Sequence, residues 1–242
     1  MKYMGSKARH ARELLEIVLS DRKPGQWYVE PFVGGANMID KVDGNRIGAD
    51  YNPWVACLWQ AVADGWVPPD VVTEDEYKAA QRERCVDARM AFIGFACSYG
   101  AKFFGGYARG KNAAGGWRNY ADEAKRAMLK TQVNIKGVKF HHSSYDNLAI
   151  PDQSIIYCDP PSAGTTGYAT GAFDHAKFWQ WCRDRVRDGH KVFVSEYTAP
   201  DDWVSVWEKR VNNTLTKDTG SKKGVERLFV LRGHEPKMGL FE

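Results

Sequence analysis

Five short apolar runs, QWYVEPF, NRIGAD, GVKFHHSS, QSIIYCD and KVFVSEY, punctuate this chain, and segments of helical spacing separate most of them. A strand apolar along most of its length is buried on both faces. Strands that alternate with helices build a mostly parallel sheet with helices on either side. In such sheets, ligands bind at the carboxyl ends of the strands, so the residues that close each run are the first candidates for function. Between Ser6 and Leu19, Ala8, Ala11, Leu15 and Val18 recur at helical spacing with Ser6 as cap. ANMIDKVD reads as a short helix, and Pro53 to Ala88 as helical with a break at Pro68 and Pro69. The glycine-rich stretch SYGAKFFGGYARGKNAAGGWRNY cannot be a regular helix, whereas ADEAKRAMLKTQ can. FDHAKFWQWCRDRVRDG reads as a helix capped by Asp174 and stopped at Gly189. DDWVSVWEKR reads as a helix or helical turn, and the chain ends in two strands near VNNTLT and VERLFVL. The expected fold is α/β, a mostly parallel central sheet ending in an antiparallel hairpin. Residues 57–136 interrupt the alternation as an inserted, mainly helical lobe, so residues 1–56 and 137–242 form one domain.

The 242 residues, 43% of them hydrophobic, can bury a core without disulfide or metal staples. The N-terminus MKYMGSKARHARELLE lacks the apolar stretch of a signal peptide, and no run is long enough to span a bilayer. None of the five cysteines forms a CxxC pair, so they read as reduced thiols of a cytoplasmic protein. His141 and His142 are adjacent, but no His or Cys set has ligand spacing, so no metal is expected. The net charge of +4 is unevenly spread. Between Tyr99 and Phe140 nine basic residues face only Asp122 and Glu123, which leaves the rest of the chain acidic. One cationic segment on an otherwise acidic chain points to a surface that meets nucleic acid.

In EPFVGGAN a strand ends, glycines allow a turn and a helix begins. Glycine lets the backbone approach a ligand closely. Asp50 closes the next strand, twenty residues after Glu30, where a carboxylate can accept bonds from both hydroxyls of a ribose. That pairing indicates a nucleoside-containing cofactor, and the absence of GxGxxG argues against a dinucleotide. In IIYCDPPS an apolar strand delivers Asp159, and Pro160 and Pro161 then fix the backbone. A carboxylate and adjacent carbonyls are acceptors only, an arrangement suited to a group with two hydrogens to donate, such as a primary amine. Cys158, inside the apolar strand, reads as core.

These motifs together resemble the Dam-type DNA adenine methyltransferases, of the D12 class and including phage-encoded members, over nearly the whole length. KYMGSK resembles the N-terminal cofactor motif, which places Tyr3 and Lys7 near the methionine and adenosine parts. EPFVGGA resembles FxGxG, with Phe32, Gly34 and Gly35 in register and Ala36 in place of the second motif glycine. Asp50 matches the ribose-binding acid, and SSYDNL, around Asp146, resembles the segment lining the adenine pocket. CDPP matches the start of DPPY, with Asp159, Pro160 and Pro161 in place and Ser162 where the family has an aromatic. The resemblance implies a Rossmann-like methyltransferase fold, S-adenosyl-L-methionine as cofactor and double-stranded DNA as partner. It also implies transfer of methyl to the 6-amino group of an adenine flipped out of the helix, with Asp159 also bordering the cofactor. Serine offers no face on which to stack the base, a loss of about 1–3 kcal/mol. Either the substitution, natural or engineered, cripples activity, or another aromatic such as Tyr168 replaces the ring, or the substrate differs; the first is preferred. The alternatives are an impaired paralogue that binds DNA and cofactor, and a methyltransferase acting on another amine such as that of cytosine. No cysteine follows a proline, as cytosine carbon-5 chemistry would need. For DNA contacts the sequence offers Lys102, Arg109, Lys111, Trp117, Arg118 and Tyr120 in the insert, and Lys222 and Lys223 in a basic loop near the C-terminus.

Overall fold

The computed structural model describes residues 7–162, 173–211 and 224–236. In chain order the elements are α1 (Ala11–Val18), β1 (Tyr28–Glu30), β2 (Arg46–Asp50), α2 (Pro53–Ala63), α3 (Glu74–Glu83) and α4 (Ala88–Ala96). They continue with α5 (Tyr120–Ile135), β3 (Lys139–His142), β4 (Ile155–Cys158), α6 (His175–Arg187), β5 (Lys191–Glu196), β6 (Trp203–Val211) and β7 (Gly224–Leu231). The seven strands form one sheet in the order β3-β2-β1-β4-β5-β7-β6. β1 to β5 pair in parallel, and β7 lies antiparallel between β5 and β6. This is the Rossmann-like α/β arrangement with a terminal hairpin that the sequence led us to expect.

The period-2 alternation of side chains divides the core into two layers. Tyr28, Ile155, Tyr157, Phe193, Leu228 and Val230 face a layer that contains α1, α2, α4 and α5. Ile156, Cys158, Val192, Val194 and Phe229 face the other, where α6 packs through Phe178, Trp179 and Cys182. Gly48 in β2 is required by packing: a Cβ there would come within 2.7 Å of the Phe140 ring on β3.

Three sequence expectations change. DDWVSVWEKR is not a helix: Trp203–Val211 is the strand β6, paired along its length with β7 and bulged between Ser205 and Trp207. Its two tryptophans and three valines suit a pleated surface better than a helix. The outer half of the hairpin therefore precedes VNNTLT, most of which lies outside the described residues. ANMIDKVD forms only a single 3-10 turn, Ile39–Lys41, too short a stretch to gain from helix propagation. The segment from Pro53 to Ala88 holds two helices and the start of a third, not one broken helix. Thr73 starts α3 with a reciprocal capping box to Glu76, and Asp87 caps α4. The expected cap at Asp174 and stop at Gly189 are both present, the first accepting from the Lys177 N–H. α1 begins at Ala11, and Ser6 lies outside the described residues.

Candidate active site

The strand order reverses direction between β1 and β4, and the motif residues gather where those strands end. Asp50 closes β2, and its carboxylate accepts from the Gly34 N–H at 3.0 Å and the Asn52 N–H at 2.9 Å. Burial pushes its pKa up to about 6, with the two backbone donors opposing that rise. The glycine turn it holds is fixed from behind by α2, where the Trp59 indole N–H donates to the Gly34 carbonyl at 2.8 Å. Gly34 sits at φ 44° and Ala36 at φ 54°, a left-handed backbone that glycine adopts freely and alanine does not. This explains why glycine suits the position that Ala36 occupies.

Phe32, ahead of this turn, stacks on Tyr145 at 5.6 Å and meets Phe178 edge-on at 5.7 Å. The segment around Asp146 thus lies against the glycine turn. The Asp146 carboxylate is taken by Lys177 of α6 at 2.6 Å, which holds its pKa below the ordinary value. Backbone pairing continues from β3 into this segment, with the Ser143 N–H donating to the Asp50 carbonyl at 3.2 Å.

Asp159 follows β4 directly, and its side chain is 24% exposed. Lys7, ahead of α1, brings its ammonium to 3.0 Å from the Asp159 carboxylate and 3.8 Å from Glu226 on β7. Burial raises the Asp159 pKa and Lys7 opposes the rise. Burial lowers the Lys7 pKa, but Asp159 and then Glu226 outweigh it and hold that pKa above its ordinary value. The sequence placed Lys7 beside the cofactor; the structure joins it to Asp159. Tyr3 and Lys2 lie outside the described residues, as do Tyr168, Lys222 and Lys223. Pro160, Pro161 and Ser162 continue from Asp159 along the same rim.

Three acidic or aromatic residues here escaped sequence reasoning. Glu30, at the end of β1, is 2% exposed and accepts from the Tyr28 hydroxyl at 2.7 Å. Burial pushes its pKa up to about 8, and the Asp159 charge adds to the rise. Glu226 shares the inward face of β7 with Leu228 and Val230, a parity that alternation along VERLFVL makes visible. Tyr197 follows β5, and its carbonyl accepts from Arg227 at 2.7 Å.

The basic segment divides into paired and unpaired cations. Arg109 pairs with Glu74, Arg118 forks onto Glu123 while lying over the Tyr120 ring at 4.5 Å, and Lys125 pairs with Asp70. Phe104 is buried and Phe103 packs against Trp54 and Phe95, so these two aromatics are core. Lys111 and Trp117 flank a tight hairpin closed by an antiparallel bridge, with the Asn112 side chain accepting from the Ala114 and Gly116 N–H groups. Trp117 is 72% exposed, and the Lys111 ammonium lies over its ring. Lys102 is exposed nearby in sequence.

Residues 3–93 match the D12 class N6 adenine-specific DNA methyltransferase family. The match contains KYMGSK from Tyr3 onward, EPFVGGA and Asp50, three of the features on which the Dam-type resemblance rests, and ends before the CDPP motif. No curated protein matches the chain. Among solved structures, the rRNA methyltransferase aviRa from Streptomyces viridochromogenes aligns over 95% of this chain and 86% of that chain, at 12% identity and a TM-score of 0.42. Among the described residues no helix is long and apolar enough to cross a membrane, and no group of three or more His, Cys, Asp or Glu side chains is placed to hold a metal.

Proposed function

We propose that this chain methylates the 6-amino group of adenine in double-stranded DNA, using S-adenosyl-L-methionine. The observation that carries the reading is Asp159: a largely buried carboxylate at the strand end next to the glycine turn, backed by two prolines and already engaged by a primary ammonium. An acceptor that holds an ammonium in this way suits the amine of a base.

The donor set fits the cofactor. Asp50 spends two lone-pair positions on backbone N–H groups and keeps others for ribose hydroxyls. Glu30 is a buried carboxyl that a cationic group would return to its charged form. Bound there, the cofactor supplies a methyl group already activated as a sulfonium. The protein's work is then positioning and electrostatics. Asp159 and the Pro160 carbonyl accept from the amine, orient it and leave its lone pair free to react. No side chain forms a covalent bond to the substrate. The flipped base needs an aromatic face, which Ser162 does not provide. In the expected inserted lobe, residues 57–136, α4 packs on α2 and α3 packs on α4, while α2 also lies on β2 and β3. The hairpin bearing Lys111 and Trp117 extends from that lobe and provides a phosphate contact and an exposed ring.

Ser162 favours one competing reading, a paralogue that binds DNA and cofactor with little turnover. Transfer of labelled methyl from S-adenosylmethionine to unmethylated DNA, compared between this chain and Ser162→Tyr, separates the two. We expect the Tyr variant to exceed the parent by about tenfold or more, the worth of one stacking contact, with the label on adenine. Cofactor binding with no transfer by either form would support the paralogue and overturn the enzyme reading.

A further inference from the structure

Glu226 occupies a position on β7 where neighbouring inward side chains, Leu228 and Val230, are apolar. It is 21% exposed, and its carboxylate stands 3.8 Å from the Lys7 ammonium, beyond hydrogen-bond reach, while Asp159 stands within it at 3.0 Å. Desolvating a second carboxylate beside a lysine that already has a partner is costly. An acceptor that attracts the lysine but stands beyond hydrogen-bond reach marks a place to which the lysine can move.

The reaction supplies a reason to move. As the target amine forms its new bond to the methyl carbon, the carbon–sulfur bond would break and its electron pair stay on sulfur; the nitrogen becomes positive until it releases a proton to solvent, and stabilisation of that charge counts only if it is stronger then than before. Asp159 is the carboxylate that must meet this charge. An ammonium held 3.0 Å from Asp159 competes for the same oxygens and repels the developing cation. Resting on the adenine reading above, we propose that Glu226 is a positioning residue that takes the Lys7 ammonium from Asp159 as the target amine arrives. Asp159 is thereby reserved for the amine. Lysine is suited to the exchange, with three donors on a flexible stem and no fixed fork geometry. The net charge of the cluster does not change; only the partner of Lys7 does.

The test uses the more active of the parent chain and Ser162→Tyr, with Glu226→Gln, Glu226→Met and Glu226→Asp made in that background. kcat and the KM values for DNA and S-adenosylmethionine are measured for each, along with urea midpoints. Gln and Met lower kcat by about tenfold or more, less than the direct loss of a group touching the reacting atoms, with KM for the cofactor nearly unchanged. Asp restores most of the rate. Met satisfies the apolar surroundings and keeps the fold at least as stable as the parent, so a structural role would leave its kcat intact. The proposal fails if Met stays within about twofold of the parent, or if Asp loses as much as Met. Absence of any adenine methylation in both backgrounds removes the function reading and this inference together. An active background indifferent to Glu226 removes the inference alone.

Discussion

Asp159 shows how far one residue depends on its neighbours. Its carboxylate is kept charged by a lysine more than 150 positions earlier in the chain. Removing that lysine leaves a largely buried charge unpaired. Lys7→Met should therefore cost roughly 3 kcal/mol at pH 8, the lower part of the range for breaking a buried pair, because a quarter of the Asp159 side chain still meets water. The sign with pH follows from the two shifts. Lys7 has its pKa raised, so its contribution is complete below the ordinary lysine value and lost only as pH rises through the folded one. The Asp159 pKa is also raised, and it rises further once Lys7 is gone. In Lys7→Met the carboxyl can take up a proton on acidification and then needs no counter-charge. Urea unfolding of parent and variant at pH 8 and pH 5 should show the deficit shrinking at the lower pH. A deficit that is equal at both would mean that Lys7 stabilises by packing alone.

At the scale of elements, the basic hairpin separates fold from recognition. Lys111 and Trp117 project from a turn tied together by its own backbone and by Asn112, and neither side chain supports the core. Trp117→Ala should leave the unfolding midpoint within experimental error while weakening DNA binding by about 1–3 kcal/mol, the value of one stacked base. Lys111→Ala should reduce the salt dependence of binding by about one phosphate contact. Unchanged affinity and salt slope for both, by titration at several salt concentrations, would remove this hairpin from the interface. The strands that build the candidate site were legible because each is an apolar run closed by a candidate residue: Phe32 and Gly34 after β1, Asp50 at the end of β2, Asp159 after β4. β6 was not legible as a strand. Its bulge between Ser205 and Trp207 breaks strict alternation, and its charged end, EKR, resembles a helix face. Glu226 and the pairing of Lys7 with Asp159 were hidden for a different reason. They meet only when the segment ahead of α1 reaches the hairpin, near the Lys209–Glu13 pair at 2.6 Å and the His10–Trp207 ring contact, an arrangement set by tertiary packing, not local pattern.

Over the whole molecule, charge is sorted by depth. The surface segment from Tyr99 to Phe140 is cationic, whereas the strand ends gather Glu30, Asp50 and Asp159 around one rim. On the proposed function, anionic phosphates and a cationic cofactor would be drawn to different places on a chain with a net charge of only +4. If Asp50 and Glu30 meet the cofactor as proposed, its binding depends on pH. With a pKa near 6, Asp50 loses its full acceptor strength for ribose hydroxyls as pH falls below that value. Glu30, near 8, is mostly protonated at neutral pH, and a cation bound beside it lowers its pKa and expels the proton. Affinity for S-adenosylmethionine should therefore rise from pH 5 to pH 8, with protons released on binding near pH 7.5. The fold responds with the opposite sign. Both carboxyls bind protons more tightly in the folded chain than when unfolded. Their ionisation weakens stability as pH rises through about 4 to 6 for Asp50 and about 4.5 to 8 for Glu30. Asp50→Asn should accordingly gain stability over the parent at pH 8 and little at pH 4, while losing the affinity change below pH 6. Calorimetric titrations in two buffers of different ionisation heat, with urea midpoints of the free proteins alongside, measure both. Cofactor affinity that is flat from pH 5 to 8, with no proton release, would show that neither acid meets the cofactor and would move its site away from this rim.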